Sequence, residues 1–214
     1  MTGMRSAPPL PRDVAGLPVP QDDVSLATWR WAHRSLPVYL LTHSVRAYCW
    51  GAAIAGHEAW RFDQQVLWTA SLMHDVGLTR IPTNTMCFEV EGAELARRFL
   101  ERQGMPPEAA DQVAIAIILH MRPNVTHADG VEAVLLDRAT ALDVRGEGYG
   151  LVDDVRPAVI AAFPRGAFDR RFASAIRREV AVRTDCQSNR LLNDVGLVKW
   201  LARSPWSASA EGGG

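Results

Sequence analysis

The chain is short of cysteine, lysine and long apolar runs, and each shortage excludes a class of protein. Its three cysteines, Cys49, Cys87 and Cys186, are odd in number and far apart, with no CxxC pair. That spacing argues against a disulfide framework and fits a reducing, cytoplasmic setting. No run reaches the roughly 18 apolar residues of a membrane-spanning helix, and the first residues lack the apolar stretch of an export signal. Lysine is reduced to Lys199; the other basic residues are arginine, and the formal net charge over 214 residues is −1. A balanced charge of this kind gives no electrostatic case for a nucleic-acid or membrane partner. A small-molecule substrate is the expected partner, with a homodimer left open.

What is present is helix-forming sequence. A hydrophobic fraction of 48% with 22% charged residues suits one sizeable folded domain. Pro37 opens a helix running through His43 to about Gly56, with Val38, Leu41, Val45 and Cys49 spaced by three or four. Asp63 is placed to cap a second helix that runs into His74-Asp75. Glu89 to Gln103, Glu108 to His120, Val131 to Val144, Arg156 to Ala162 and Phe168 to Arg183 read as further helices. Of these, Glu108 to His120 is so apolar that it reads as a buried central helix. Arg80 to Cys87, with Pro82, Thr83 and Asn84, reads as a loop. Val24 to Trp29 or the tail could add short extended pieces. The expected fold is all-α, a bundle of about six or seven helices over residues 25–203. A Pro-rich arm, extended or poorly ordered, covers 1–24, and a flexible tail covers 204–214.

The chemistry gathers at His74-Asp75, which ends the apolar run Val66 to Met73 and is followed by Gly77. Side chains one apart on a helix diverge by roughly 100°, so this pair can approach one ion only near a helix end, where glycine supplies backbone freedom. His43 precedes the pair on its own helix; His120 and Asp143 follow on two more. Asp143 sits among Ala139, Leu142 and Val144, and a carboxylate near a core needs a partner. His43, His74, Asp75 and Asp143 form a mixed N/O set suited to one divalent transition metal, zinc first, with Fe2+, Mn2+ or Ni2+ also compatible. His120 is a candidate ligand, acid–base group or substrate-orienting residue. His33, His57 and His127 lie in polar or loop-like contexts and read as ordinary histidines.

The order His, His-Asp, Asp resembles the HD-domain superfamily of metal-dependent phosphohydrolases, whose members bind metal with such residues in a helical bundle. Three segments are most similar to its cyanamide hydratase-like branch. His43-Ser44-Val45-Arg46-Ala47-Tyr48 resembles an HSxRxY stretch. Cys87-Phe88-Glu89-Val90-Glu91-Gly92 resembles an SFE segment followed by a glycine, with Cys87 in place of the serine. Ile117-Ile118-Leu119-His120 resembles IIxH, although Met121-Arg122-Pro123 departs from the branch's polar continuation.

The resemblance implies metal-assisted addition of water to a small polar electrophile such as a nitrile. Glu89 and His120 are then the candidate acid–base residues, and Phe88 and Arg46 the candidate substrate-binding residues. A pocket closed by Phe88 would be small and partly apolar. The superfamily also implies an alternative, hydrolysis of a nucleotide or other phosphoester. Arg46, Arg80 and Arg122 could hold a phosphate, but Leu78 stands where nucleotidase-like members carry an acid. A third reading is a silent helical module with the metal as a structural staple.

Overall fold

The structure, a computed structural model, describes residues 7–81 and 84–206. Residues 1–6 of the expected arm, Pro82 and Thr83 of the expected loop, and residues 207–214 of the expected tail lie outside the described residues. The described chain is a helical bundle with one small antiparallel ribbon, β1 (Asp13–Val14) with β2 (Leu17–Pro18). Ten α-helices follow: α1 (Asp23–Ser35), α2 (Val38–His57), α3 (Gln64–Met73), α4 (Phe88–Arg102), α5 (Pro107–Leu119), α6 (Val131–Arg145), α7 (Arg156–Ala162), α8 (Phe168–Val180), the single turn α9 (Gln187–Asn189) and α10 (Leu197–Arg203). A 3-10 turn covers Val76–Thr79, and a π-helical turn, Arg190–Asp194, continues α9.

Local chemistry accounts for the ends. Asp63 caps α3 by accepting from the amides of Gln65 and Val66 at 2.8 and 3.1 Å. Gly146 closes α6 in the left-handed conformation, at φ 77°. Residues 24–29, expected from sequence as short extended pieces, lie instead in α1. Asp22 caps that helix through the Ser25 amide at 2.8 Å, Asp23 complements its positive end, and Val24, Thr28 and Trp29 turn inward together. Strand-favouring side chains are overruled here by a cap and a buried face.

At the centre α2 packs against α3 and α6, and α5 packs against α3, α4 and α6. Almost every residue of α2 from Leu40 to Ala55 is buried, including Tyr48 and Trp50. α5, expected as a buried central helix, is central but only partly buried. Ala110, Val113, Ala116 and Ile117 face the core, whereas Ile115 is 44% exposed. The arm is held down: Val14 and Val19 are buried, the Trp29 indole donates to the Pro8 carbonyl, and the Tyr48 hydroxyl donates to the Pro18 carbonyl. The start of the expected tail is also docked. Trp206 is buried, stacks on Trp50 and donates to the Leu142 carbonyl at 3.1 Å.

The expectation of no disulfide is overturned. Cys87, at the start of α4, is bonded to Cys186, just before α9, while Cys49 is free and buried. The two partners are 99 positions apart in sequence, a distance that says nothing about proximity once helices fold back on one another.

Candidate metal centre

The core of the site is a buried triangle of His43 from α2, His74 at the end of α3, and Asp75 just beyond it. His43 Nε2 lies 3.1 Å from His74 Nε2, His74 Nε2 lies 3.3 Å from Asp75 Oδ2, and His43 Nε2 lies 3.7 Å from the same oxygen. Donors bound ~2.0–2.2 Å from one tetrahedral ion stand roughly 3.3–3.6 Å apart, so these edges are those of a ligand set. Asp75 Oδ2 is buried without a hydrogen-bond partner among the described residues, which suits an oxygen awaiting a cation.

The helix end makes the doublet usable. α3 stops at Met73, His74 is still helical, and Asp75, at φ −99° and ψ 10°, turns the chain into the 3-10 segment. Gly77 serves differently from expectation, because it is not among the glycines with positive φ. A Cβ there would lie 2.1 Å from the Phe88 carbonyl oxygen, so glycine lets the turn press onto the start of α4.

Three rings are oriented alike. His74 Nδ1 donates to the Ser71 carbonyl at 2.8 Å, and His120 Nδ1 to the Ile117 carbonyl at 2.6 Å. A carbonyl only accepts, so the proton of each neutral ring is on Nδ1 and Nε2 is left bare. His43 Nδ1 meets Asp143 Oδ2 at 2.7 Å, which points its Nε2 into the triangle. Burial holds His43 below its ordinary pKa, and burial together with the charge of His74 lowers His120 to about 4. Both rings are thus the neutral imidazoles that metal binding requires. Burial also pushes His74 down, but the Asp75 carboxylate outweighs it and raises that ring. Burial opposes ionisation of Asp75, yet the three histidines pull it to about 2. These residues fit a divalent ion.

Asp143 stands one layer back from the triangle. Its Oδ1 accepts from Arg46 Nε and Trp50 Nε1, both at 2.8 Å, and its Oδ2 accepts from Arg46 Nη2 and His43 Nδ1, both at 2.7 Å. Arg165 adds a longer contact at 3.3 Å. Burial would raise its pKa, but Arg46 and Arg165 hold it well below the usual carboxylate range. With both oxygens committed, Asp143 holds the His43 ring in place from behind the triangle. His120 occupies the flank instead, with Nε2 at 3.9 Å from Asp75 Oδ1 and its ring 4.9 Å from that of His74.

The remaining expected site residues separate. Arg46 is wholly buried and also donates to the carbonyls of Phe163 and Pro164, so it faces the core rather than a substrate. Phe88 lies edge-on to His120 at 6.1 Å and is not on the cavity wall. Glu89 is buried, both its oxygens lack a hydrogen-bond partner among the described residues, and burial raises its pKa; it too is off the wall.

A cavity of about 290 Å³ opens over the triangle and His120. Its wall includes Asp137, Thr140 and Arg145 of α6, Arg122 of the loop after α5, Phe172 of α8, and Arg190 of the π turn. Asp137 and the arginines other than Arg122 are not foreseen from sequence as site residues. Asp137 and Arg145 share α6 with Asp143, but only the folded helix shows that both meet the cavity. Burial pushes the Asp137 carboxyl up to about 6, against Arg145 and aided by Glu147.

The family described as "HD domain" matches residues 40–145, a stretch that runs from three residues before His43 to two after Asp143. Two proteins of Saccharomyces cerevisiae, cyanamide hydratase DDI2 and cyanamide hydratase DDI3, are each 30% identical over 175 residues, covering 79% of this chain and 78% of theirs. The chain belongs to the HD-domain family. HD-domain proteins are helical and bind divalent metals, and this member is a metal-dependent enzyme of hydratase or hydrolase type. No helix among the described residues is long and apolar enough to cross a membrane.

Proposed function

We propose that this HD-domain enzyme is a hydratase that adds water across a carbon–nitrogen triple bond, as the names of its yeast relatives suggest for them. The observation that carries the reading is the His43–His74–Asp75 triangle, buried on one side and facing a cavity on the other. A structural metal site is closed by protein ligands, whereas a catalytic one keeps a face open. His43, His74 and Asp75 would hold the ion, His120 would supply a fourth donor, the face toward the cavity would leave a fifth position for water, and zinc accepts such a set of imidazoles and carboxylate. When bound, such an ion lowers the pKa of coordinated water from 15.7 toward ~7.

The chain's residues prepare the rest. The carbonyls of Ser71 and Ile117 and the Asp143 carboxylate fix the three rings. The nitrogen of the substrate must gain a proton as the C–O bond forms. Asp137 is the carboxyl on the cavity wall apart from Asp75, and its raised pKa suits proton exchange near neutrality. That role passes from Glu89, which does not reach the wall. Phe172 gives one side of the cavity an apolar wall.

A phosphoester is the second reading, favoured by Arg122, Arg145 and Arg190 on the cavity wall, since guanidinium groups match phosphate oxygens. One panel separates the two: purified protein, assayed for bound metal, is given cyanamide and a generic phosphodiester. Urea formation abolished by Asp75→Ala is the expected result. Phosphodiester cleavage without urea would overturn the hydratase reading. In the same preparation, His120→Asn should lower bound metal; unchanged metal with slower turnover would make His120 an acid–base group instead.

A further inference from the structure

The cavity is larger and more cationic than cyanamide needs. Its volume of about 290 Å³ corresponds to roughly ten waters at ~30 Å³ each, whereas cyanamide has three heavy atoms. Three arginines reach the wall from three separate elements: Arg122 from the loop after α5, Arg145 from the end of α6, and Arg190 from the π turn. Arg122 and Arg190 are exposed, and their side chains make no hydrogen bond or ion pair among the described residues. Arg145 is paired with Glu147 at 2.8 Å, but its Nε is buried with no partner. Against these stand Asp137 on the same wall and Glu89, which Arg122 influences through space without bonding to it. Unmatched guanidinium groups gathered at the mouth of a cavity are a device for capturing an anionic group.

Resting on the hydratase reading, we infer that the preferred substrate is an anionic nitrile, with its C≡N at the metal centre and a carboxylate a few bonds away held by Arg122 and Arg190. The reaction balances without a further reactant. Water oxygen bonds to the nitrile carbon, one C–N π bond is lost, a water proton goes to nitrogen, and the imidic acid tautomerises to the amide. 3-Cyanopropionate would give the monoamide of succinate. The carboxylate takes no part in bond making; it anchors the longer molecule so that the reacting carbon is held in place.

The test compares 3-cyanopropionate with 3-cyanopropionamide, which has the same length and no charge, and with cyanamide, all on the metal-loaded protein. Calorimetric binding is measured beside turnover. The acid should bind at least about tenfold more tightly than its amide, as expected for charge-assisted hydrogen bonds at a partly exposed site. The preference should shrink from 50 to 500 mM salt and collapse in Arg122→Gln/Arg190→Gln. Both positions are exposed, so the variant should fold; bound metal and melting temperature check that it does. Equal binding of acid and amide, or a preference that survives the double substitution, would overturn the inference even if cyanamide is hydrated. Preferential binding of the acid with no hydration of any nitrile would leave the anion site standing and remove the hydratase reading.

Discussion

Asp143 shows how far one residue's role depends on what already occupies its oxygens. Both are taken by Arg46, Trp50 and His43, so its chemistry is to charge-balance two arginines and aim one imidazole. Asp143→Asn keeps the shape but leaves Arg46 buried beside a neutral amide. Breaking such a pair costs about 3–5 kcal/mol, and losing a ligand's orienting partner costs about 10–100-fold in metal affinity. The variant should therefore melt well below the parent even after both are stripped of metal; equal melting of the stripped proteins would return Asp143 to the ligand set. Asp137 supplies a pH effect of definite sign. Its folded pKa, about 6, lies above the unfolded value of ~3.9, so the folded state binds the proton more tightly. Stability then falls as pH rises from about 4 to 6 and levels off above that. Discounted for its partial exposure, the effect is on the order of 1 kcal/mol. Asp137→Asn should remove this slope and stabilise the protein at pH 7, read as melting temperature against pH.

At the scale of elements, the His74-Asp75 doublet is set by the junction between α3, its 3-10 extension and α4. Gly77 is where the 3-10 turn meets the Phe88 backbone, and a methyl group there would meet that carbonyl oxygen at 2.1 Å. Since backbone is what must yield, Gly77→Ala should cost about 1–3 kcal/mol and shift His74 and Asp75 together. Loss of bound metal in step with the lowered melting temperature is expected; a folded variant with full metal would show the junction to be pliable. These elements were unevenly legible in sequence. α2, α3, α4 and α6 follow from apolar spacing and from Asp63 as a cap, and His43, His74 and Asp75 follow from their order. α1 was hidden because its Val, Thr and Trp residues favour strands. The backward placement of Asp143 was hidden because order along the chain does not reveal hydrogen-bond partners. One of those partners, Arg165, sits in a loop between α7 and α8, where no periodicity marks it.

At the scale of the whole molecule, one covalent bond ties the start of α4 to the start of α9. Cys87 immediately precedes α4, and Cys186 immediately precedes α9 and the π turn that carries Arg190. Arg183 reinforces the seam by reaching Glu179, Glu91 and the Asn84 carbonyl at 2.8, 2.6 and 3.1 Å. A cross-link closing a loop of about 100 residues restricts the unfolded chain, which in the chain-entropy account is worth up to ~4.7 kcal/mol, and native bonds commonly deliver about 2–4. For a chain of this length each kcal/mol moves the melting temperature by roughly 2–4 °C. Dithiothreitol should therefore lower the melting temperature of the parent by about 5–15 °C and leave Cys87→Ser unaffected, because Cys186 then has no partner within the chain to lose. The buried Cys49 contributes nothing, since burial pushes its thiol up to about 12 and it stays protonated. Two free thiols at Cys87 and Cys186 in protein purified without reductant, counted by alkylation and mass spectrometry, would show that the bond does not form, and the predicted response to dithiothreitol would vanish with it.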